Sequence, residues 1–334
     1  MKRATKILCI LAACLLGSGL LLLCAGLFAG GFHSLRAGAL NLPPQGDDIQ
    51  DSFLFEQVDA LSIQCEIGDL SIQTDPGLPA GAVYVEYDLP AGSRVSAQME
   101  ENTLAFHSKA PHRSLPGLFQ RLLRNLLAQG SLNAYPTACI QISVSPQGVF
   151  STAQLQLDVG DLTMDGLRCQ NLDIHTAVGA AQLSNLHAAA SAVVQLDTGS
   201  LRGDALRLQT ARLSCDVGSM DLRDLCCYGL EAVANVGNIH IQGRLAGDNR
   251  FQCDLGSLTL ETTLPCSDYD LDLQADMGQV TVDGAACGHN FRQQHATPAH
   301  AIQAACDLGS IDLSGGGEAV SYTHLRAHET RHDL

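Results

Sequence analysis

Tryptophan is absent from the 334 residues, and aromatic side chains make up 4 % of the chain. A core without large aromatic rings has to be built from Leu, Ile, Val and Ala, residues that suit layers of identical shape. Lysine is almost missing, with Lys2, Lys6 and Lys109 the full set, and the formal net charge is −16. That balance excludes nucleic acid as a partner, because phosphate contacts need clustered Lys and Arg. Reaction-bearing motifs are missing too. Outside residues 320–334 there is no Gly-x-Ser-x-Gly, no phosphate loop and no His-Glu-x-x-His. The residues single out no catalytic, cofactor-binding or metal-ligating set.

What the chain does have is one recurring phrase: apolar, Gly, small polar, apolar, any residue, apolar. It reads Ile67-Gly68-Asp69-Leu70-Ser71-Ile72 and again Val159-Gly160-Asp161-Leu162-Thr163-Met164. It returns at Gly179, Gly199, Gly218, Gly237, Gly256, Gly278 and Gly309. From Gly160 to Gly256 the steps are 19, 20, 19, 19 and 19 residues, and the next two are 22 and 31. A near-constant period of this size marks a repeat architecture.

Within one unit, Leu213, Cys215 and Val217 are apolar at odd positions, and Met220 and Leu222 at even ones. The inward parity slips by one at Gly218-Ser219. A strand that turns a corner around a single core needs such a slip, and Gly supplies the backbone freedom for it. The nine glycines are therefore read as structural turns. Two geometries fit. Either the flanking strands lie on different faces of a coil and stack in parallel on their counterparts, or Gly-Ser is a two-residue hairpin turn. The constant period and offsets favour the first, an all-β, parallel β-helix-like solenoid of about 19–20-residue coils.

Two residues before the glycines stand Glu66, Asp158, Asp197, Asp216, Asn235, Asp254, Asp276 and Asp307, with Ala177 breaking the series. In a solenoid these form an outward column, read as a solvated acidic face rather than a cation site. Cys65, Cys215, Cys253 and Cys306 sit three residues before a glycine. Alternation puts them on the core face with Val217, Leu255 and Leu308, as reduced thiols rather than a disulfide ladder, since equivalent positions two coils apart are too distant to bridge. Arg202, Arg207, Arg212 and Arg223 are expected to pair with nearby acids. Asp268, Asp270 and Asp272 alternate on one strand, and nothing selects two of them as a glycosidase pair.

The N-terminus carries a membrane signal. Lys2, Arg3 and Lys6 precede an uncharged apolar run over residues 7–32, long enough to cross a hydrocarbon core as a helix. The flanking charges put residues 1–6 in the cytoplasm and the body outside. A cleaved signal peptide is the alternative. Residues 33–55 read as a stalk, and residues 56–152 as an N-terminal β part. Within that part, residues 115–129 place leucines at helical spacing among Arg121 and Arg124, an insert suited to capping the stack, with a lipid-facing helix as the alternative. The repeat solenoid is expected over residues 153–313.

The phrases Asp158-Val159-Gly160-Asp161-Leu162, Asp216-Val217-Gly218-Ser219-Met220 and Asp254-Leu255-Gly256-Ser257-Leu258 resemble the putative adhesin family of β-strand-repeat proteins, a bacterial domain of unknown function often placed behind one membrane helix. The resemblance covers residues 56–313. It implies a non-enzymatic, surface-exposed β domain and transfers no site residues. Residues 320–334 resemble no repeat; they match the translation of a common sequencing-library adapter and are read as an artefact, so the helical spacing of His324, His328 and His332 is not read as a metal face. The reading is thus a membrane-anchored extracytoplasmic domain, an adhesin or an envelope binding or scaffold protein, whose partners are the membrane and cell-surface polymers or proteins. The alternatives are a carbohydrate-active enzyme on a β-helix or a component of an envelope-stress sensor.

Overall fold

A computed structural model describes residues 49–90, 92–110, 138–295 and 299–316. The expected membrane helix 7–32, the insert 115–129 and the tail 320–334 lie outside the described residues. Among the described residues no helix is long and apolar enough to cross a membrane. The last seven residues of the segment read as a stalk are a strand, Ile49–Phe55.

The described chain is all β apart from one 3-10 turn, Cys266–Asp268. One coil shows how the residues dictate the path. Between Leu162 and Gly179 the buried side chains are Leu162 and Met164, then Leu167 and Cys169, then Leu172, Ile174 and Thr176. Each group alternates with period two, as a half-buried strand must. The parity slips between groups, so each coil turns three corners where the sequence reading counts one. The second corner holds left-handed residues at equivalent positions: Gly166, Asn185, Ala205 and Asp224. The third is a break in strand register, between Cys169 and Asn171 in one coil and Ala188 and Ser191 in the next.

The coils stack in parallel. On the long side the order is 103–109, 60–67, 150–159, 168–178, 187–198, 207–217, 230–236, 248–255, 300–308 and 269–277. On the short side it is 139–144, 69–74, 162–165, 181–184, 201–204, 220–228, 239–246, 258–262, 311–315 and 280–282. Strands on either side of a repeat glycine pair with neighbouring coils and not with each other, so the glycines turn solenoid corners and the hairpin geometry is not the one adopted.

At each end the chain departs from sequence order. Strands 60–67 and 69–74 lie between 103–109 and 139–144 on one side and 150–159 and 162–165 on the other, and the final coil 300–315 is wedged between 248–262 and 269–282. Antiparallel strands then cover both ends. Arg94–Glu100 pairs with Thr103–Lys109, and Val83–Leu89 covers Cys139–Val144 and carries Ile49–Phe55. At the far end Asn290–Gln293 and Ala285–Gly288 cover Tyr269–Met277 and Val280–Val282. Open edges of a parallel stack would template further pairing, and these short antiparallel pieces block it.

The core is a set of stacked columns, one of them Leu162, Ala181, Leu201, Met220, Ile239, Leu258, Ile311 and Val280 in register, and it buries Phe106, Phe150, Phe251 and Tyr269 beside the aliphatic residues that the sequence predicts. Cys65, Cys215, Cys253 and Cys306 are buried in it as free thiols. Cys253 and Cys306 are register partners on adjacent strands because the last coil is wedged in beside 248–255, closer than their separation in sequence implies. One expectation is corrected: Val217, Leu255 and Leu308 are half exposed, not core. The last buried residue stands three before each corner glycine, as Cys215 does before Gly218, so the residue just ahead of the glycine projects beyond the core.

Candidate functional site

Two features of the surface are built by the stacking itself. The first is the glycine corner. Glycines 68, 160, 179, 199, 218, 237, 256, 309 and 278 form a single column in that spatial order. From Gly160 onward, a Cβ on each would overlap the carbonyl oxygen of the glycine in the neighbouring coil, and at Gly68 it would crowd Ala138. Eight of them have φ between 136° and 153°, backbone space that L residues avoid. The glycine N–H bonds the carbonyl just ahead of the next glycine, as Gly179 does to Thr198 at 2.9 Å and Gly237 to Leu255 at 2.8 Å. The small polar residue after the glycine closes the corner. Asp69 Oδ1 accepts from Asp161 N at 2.9 Å, Asp161 Oδ1 from Ala180 N at 2.8 Å, and Asn238 Oδ1 from Ser257 N at 2.9 Å. The repeated phrase is thus a backbone staple between coils.

The acidic residues two before the glycines face outward as a column. Their partners are neutral amides and one histidine: Asn235 to Asp216 at 3.1 Å, Gln252 to Asp254 at 3.0 Å, Gln274 to Asp276 at 2.7 Å, and His175 with Asp197 at 3.3 Å. Among the described residues no group of three or more His, Cys, Asp or Glu converges on a possible metal position. Of the four arginines, Arg207 pairs with Asp224 at 2.9 Å, Arg212 with Glu231 at 2.8 Å and Arg223 with Asp221 at 3.2 Å. All are solvent-exposed pairs, which contribute little to stability. Asp270 accepts from the His295 backbone N–H at 2.7 Å, and Asp272 holds Arg292 at 2.7 Å.

The second feature is a groove that the sequence reading missed. It crosses five coils at the third corner, with a volume of about 610 Å³. Small residues, among them Ala192, Ala211 and Gly229, form its floor. Its rim is polar. Arg212 and Glu231 form their ion pair there, and Arg250 donates to Gln303 Oε1 at 3.1 Å. Beneath lies Asn249, buried in an inward column between Leu230 and Ile302. Its Oδ1 accepts from Leu230 N at 3.1 Å, and its Nδ2 donates to the carbonyls of Gly247 and Ala301, each at 3.2 Å. A polar residue in an aliphatic column was the available signal, hidden because the sequence reading placed no third corner there.

Thiol chemistry is suppressed inside the stack. Burial pushes the Cys65 and Cys169 thiols up to about 11 and those of Cys227, Cys253 and Cys266 up to about 12. A thiol held protonated near neutral pH is a weak nucleophile.

The DUF4097 toastrack family profile matches residues 140–314, more than half of the chain. The chain belongs to the DUF4097 toastrack family. The match covers most of the stacked coils, including eight of the nine corner glycines, and agrees with the resemblance carried by the glycine phrases. No curated protein matches the chain. Among solved structures, a protein of Bacteroides fragilis described as a putative adhesin is similar at 12 % identity, with 82 % of this chain and 100 % of that one covered and a TM-score of 0.47. One from Clostridium sporogenes, described as a putative cell adhesion protein, has 9 % identity, 80 % and 100 % coverage and a TM-score of 0.30. A third, described as a putative adhesin of Parabacteroides merdae, has 11 % identity, 81 % and 96 % coverage and a TM-score of 0.22.

Proposed function

We propose that this chain is a non-enzymatic binding and scaffold protein of the cell envelope, anchored by residues 7–32 with the β domain outside the membrane, and that its groove holds an elongated envelope polymer. The groove carries the reading. It runs across strands of five successive coils and has a polar rim of Arg, Glu and Gln over a floor of small residues. A saccharide chain needs planar, multidentate donors and acceptors spread along its length, and Arg212, Glu231, Arg250 and Gln303 supply them. The basic residues ahead of the apolar run, and its length, support the anchor and the orientation.

The test is retention of the detergent-solubilised full-length chain on insoluble envelope polysaccharide. Retention without release of soluble product is expected. The exposed double variant Arg212→Ala/Arg250→Ala should lose retention at least tenfold while keeping its melting temperature. Release of oligosaccharides would make the protein an enzyme, and undiminished retention of the variant would remove the groove from the reading.

A further inference from the structure

One row of side chains is used by neither the core nor the groove. The residues immediately before the corner glycines are register partners from coil to coil: Ile67, Val159, Val178, Thr198, Val217, Val236, Leu255, Leu308 and Met277. Seven of these nine are large aliphatic residues between 45 % and 67 % exposed. At the strand spacing of about 4.8 Å the row is about 38 Å long. Singly exposed Val or Leu residues need no explanation, but a continuous apolar strip marks an interaction surface. The fold does not require the strip to be apolar, because Thr198 occupies one rung within the same unbroken register.

Charge decides what covers it. The adjacent column, one residue earlier on each strand, carries Glu66 and the aspartates 158, 197, 216, 254, 276 and 307, with no Lys or Arg. The column on the other side of the glycines adds Asp69 and Asp161 and again holds no base. A second copy laid strip to strip would bring two such acidic columns together in a chain of net charge −16, and an anionic lipid surface would meet the same repulsion. A partner with an apolar face flanked by Lys and Arg satisfies both rows at once.

The geometry points to this edge as a docking strip for a cationic amphipathic helix of a partner polypeptide, about 26 residues long if it spans the whole row. Its leucine-type face lies on the aliphatic rungs and its basic flanks on the carboxylates. The inference goes beyond the polymer groove and shares no residue with it.

The probe is a labelled 26-residue peptide with Leu at i, i+3, i+4 and i+7 and Lys elsewhere, titrated by fluorescence anisotropy into the full-length chain in neutral detergent. A control peptide has Glu at every Lys position. The cationic peptide is expected to bind and the anionic one not. Val217→Asp/Val236→Asp should weaken binding at least tenfold. Val217→Thr/Val236→Thr, which repeats the residue found at Thr198, should weaken it several-fold with the melting temperature unchanged. Asp216→Asn/Asp254→Asn should weaken it and flatten its salt dependence. Equal binding to the wild type and both Val variants would overturn the strip. A wild-type dimer in sedimentation that the Asp variant turns into a monomer would assign the strip to a second copy instead, and strip-dependent binding to phosphatidylglycerol vesicles would assign it to lipid. Loss of polysaccharide retention leaves this result untouched, and failure of the peptide leaves the groove untouched.

Discussion

Gly237→Ala tests whether the corner column holds the stack together. Two costs meet at this residue. Its φ of 147° lies where L residues are rarely found, which costs on the order of 1–3 kcal/mol. Its new Cβ would also overlap the carbonyl of Gly218, backbone that can move only by separating two coils, adding about 1–3 kcal/mol as overpacking does. The structure supplies a control for each term. Gly284 has φ of 77° with nothing within 4 Å of a Cβ, so Gly284→Ala isolates the conformational cost. Gly278 lies outside the left-handed region but faces the carbonyl of Gly309, so Gly278→Ala isolates the overlap. Gly237→Ala is expected to cost about 4 kcal/mol, and each control about 1–3. Urea unfolding followed by far-UV circular dichroism measures all three. Hydrogen exchange on peptides spanning 215–260 should show faster exchange in both coils that meet at Gly237. A Gly237→Ala penalty no larger than that of Gly284→Ala would refute the backbone-on-backbone reading.

Three further outcomes follow from buried polar groups. Thr176 lies inside the stack between Leu157 and Leu196, and its hydroxyl has no partner; Thr176→Val should therefore stabilise by about 1 kcal/mol, seen as a higher urea midpoint at unchanged m-value. Asn249→Leu matches its column neighbours in shape but leaves the Leu230 N–H without its acceptor and takes a donor from the Ala301 carbonyl, and should cost about 1–3 kcal/mol in the same assay. The raised thiols predict alkaline lability. Their folded pKa values, about 11 to 12, lie above those of the unfolded chain, so stability is full below about pH 9 and is lost as pH rises toward the folded values. Each thiol contributes about 1.4 kcal/mol per pH unit in that window. Cys253→Ala should reduce the pH slope of stability by one such increment, and an unchanged slope would show that thiol to be ionised in the folded state.

The repeat, the parallel stack and the glycine corners were legible because stacking in register forces equivalent residues to equivalent offsets, and a fixed period exposes that directly. The outward acidic column and the buried cysteines followed from the same alternation. The alternation failed one residue short of the glycine. Val217 continues the odd parity of Leu213 and Cys215, yet the core stops at Cys215 because the chain has begun its corner. The second and third corners were obscured for a related reason. Only Gly166 announces the second, while Asn185, Ala205 and Asp224 reach the same left-handed conformation without a glycine, and a register break has no residue signature of its own. The wedge order of the last coil was beyond local patterning altogether. The spacings of 22 and 31 residues indicate inserted chain, but which edge that chain joins depends on pairing partners far apart in sequence.

These failures share a cause with the surfaces that matter. A solenoid coil has little freedom inside, since each inward residue must match its neighbours above and below, and its sequence there is nearly a consequence of geometry. Function has room only where the coil turns, because a corner side chain contacts two faces and is bound by neither. Both candidate surfaces lie on corners: the polymer groove on the register break and the aliphatic strip on the glycine turn. They differ in what the corner allows. The register break tolerates residues as different as Ser191, Thr210, Gly229 and Asp248 in equivalent or neighbouring positions, which gives a groove of varied chemistry at one place along the stack. The glycine corner demands the same backbone in every coil, so whatever side chain precedes it is multiplied into a row. A single aliphatic choice there becomes a strip of nine rungs, and substitutions at its half-exposed positions alter that strip while leaving the core columns intact.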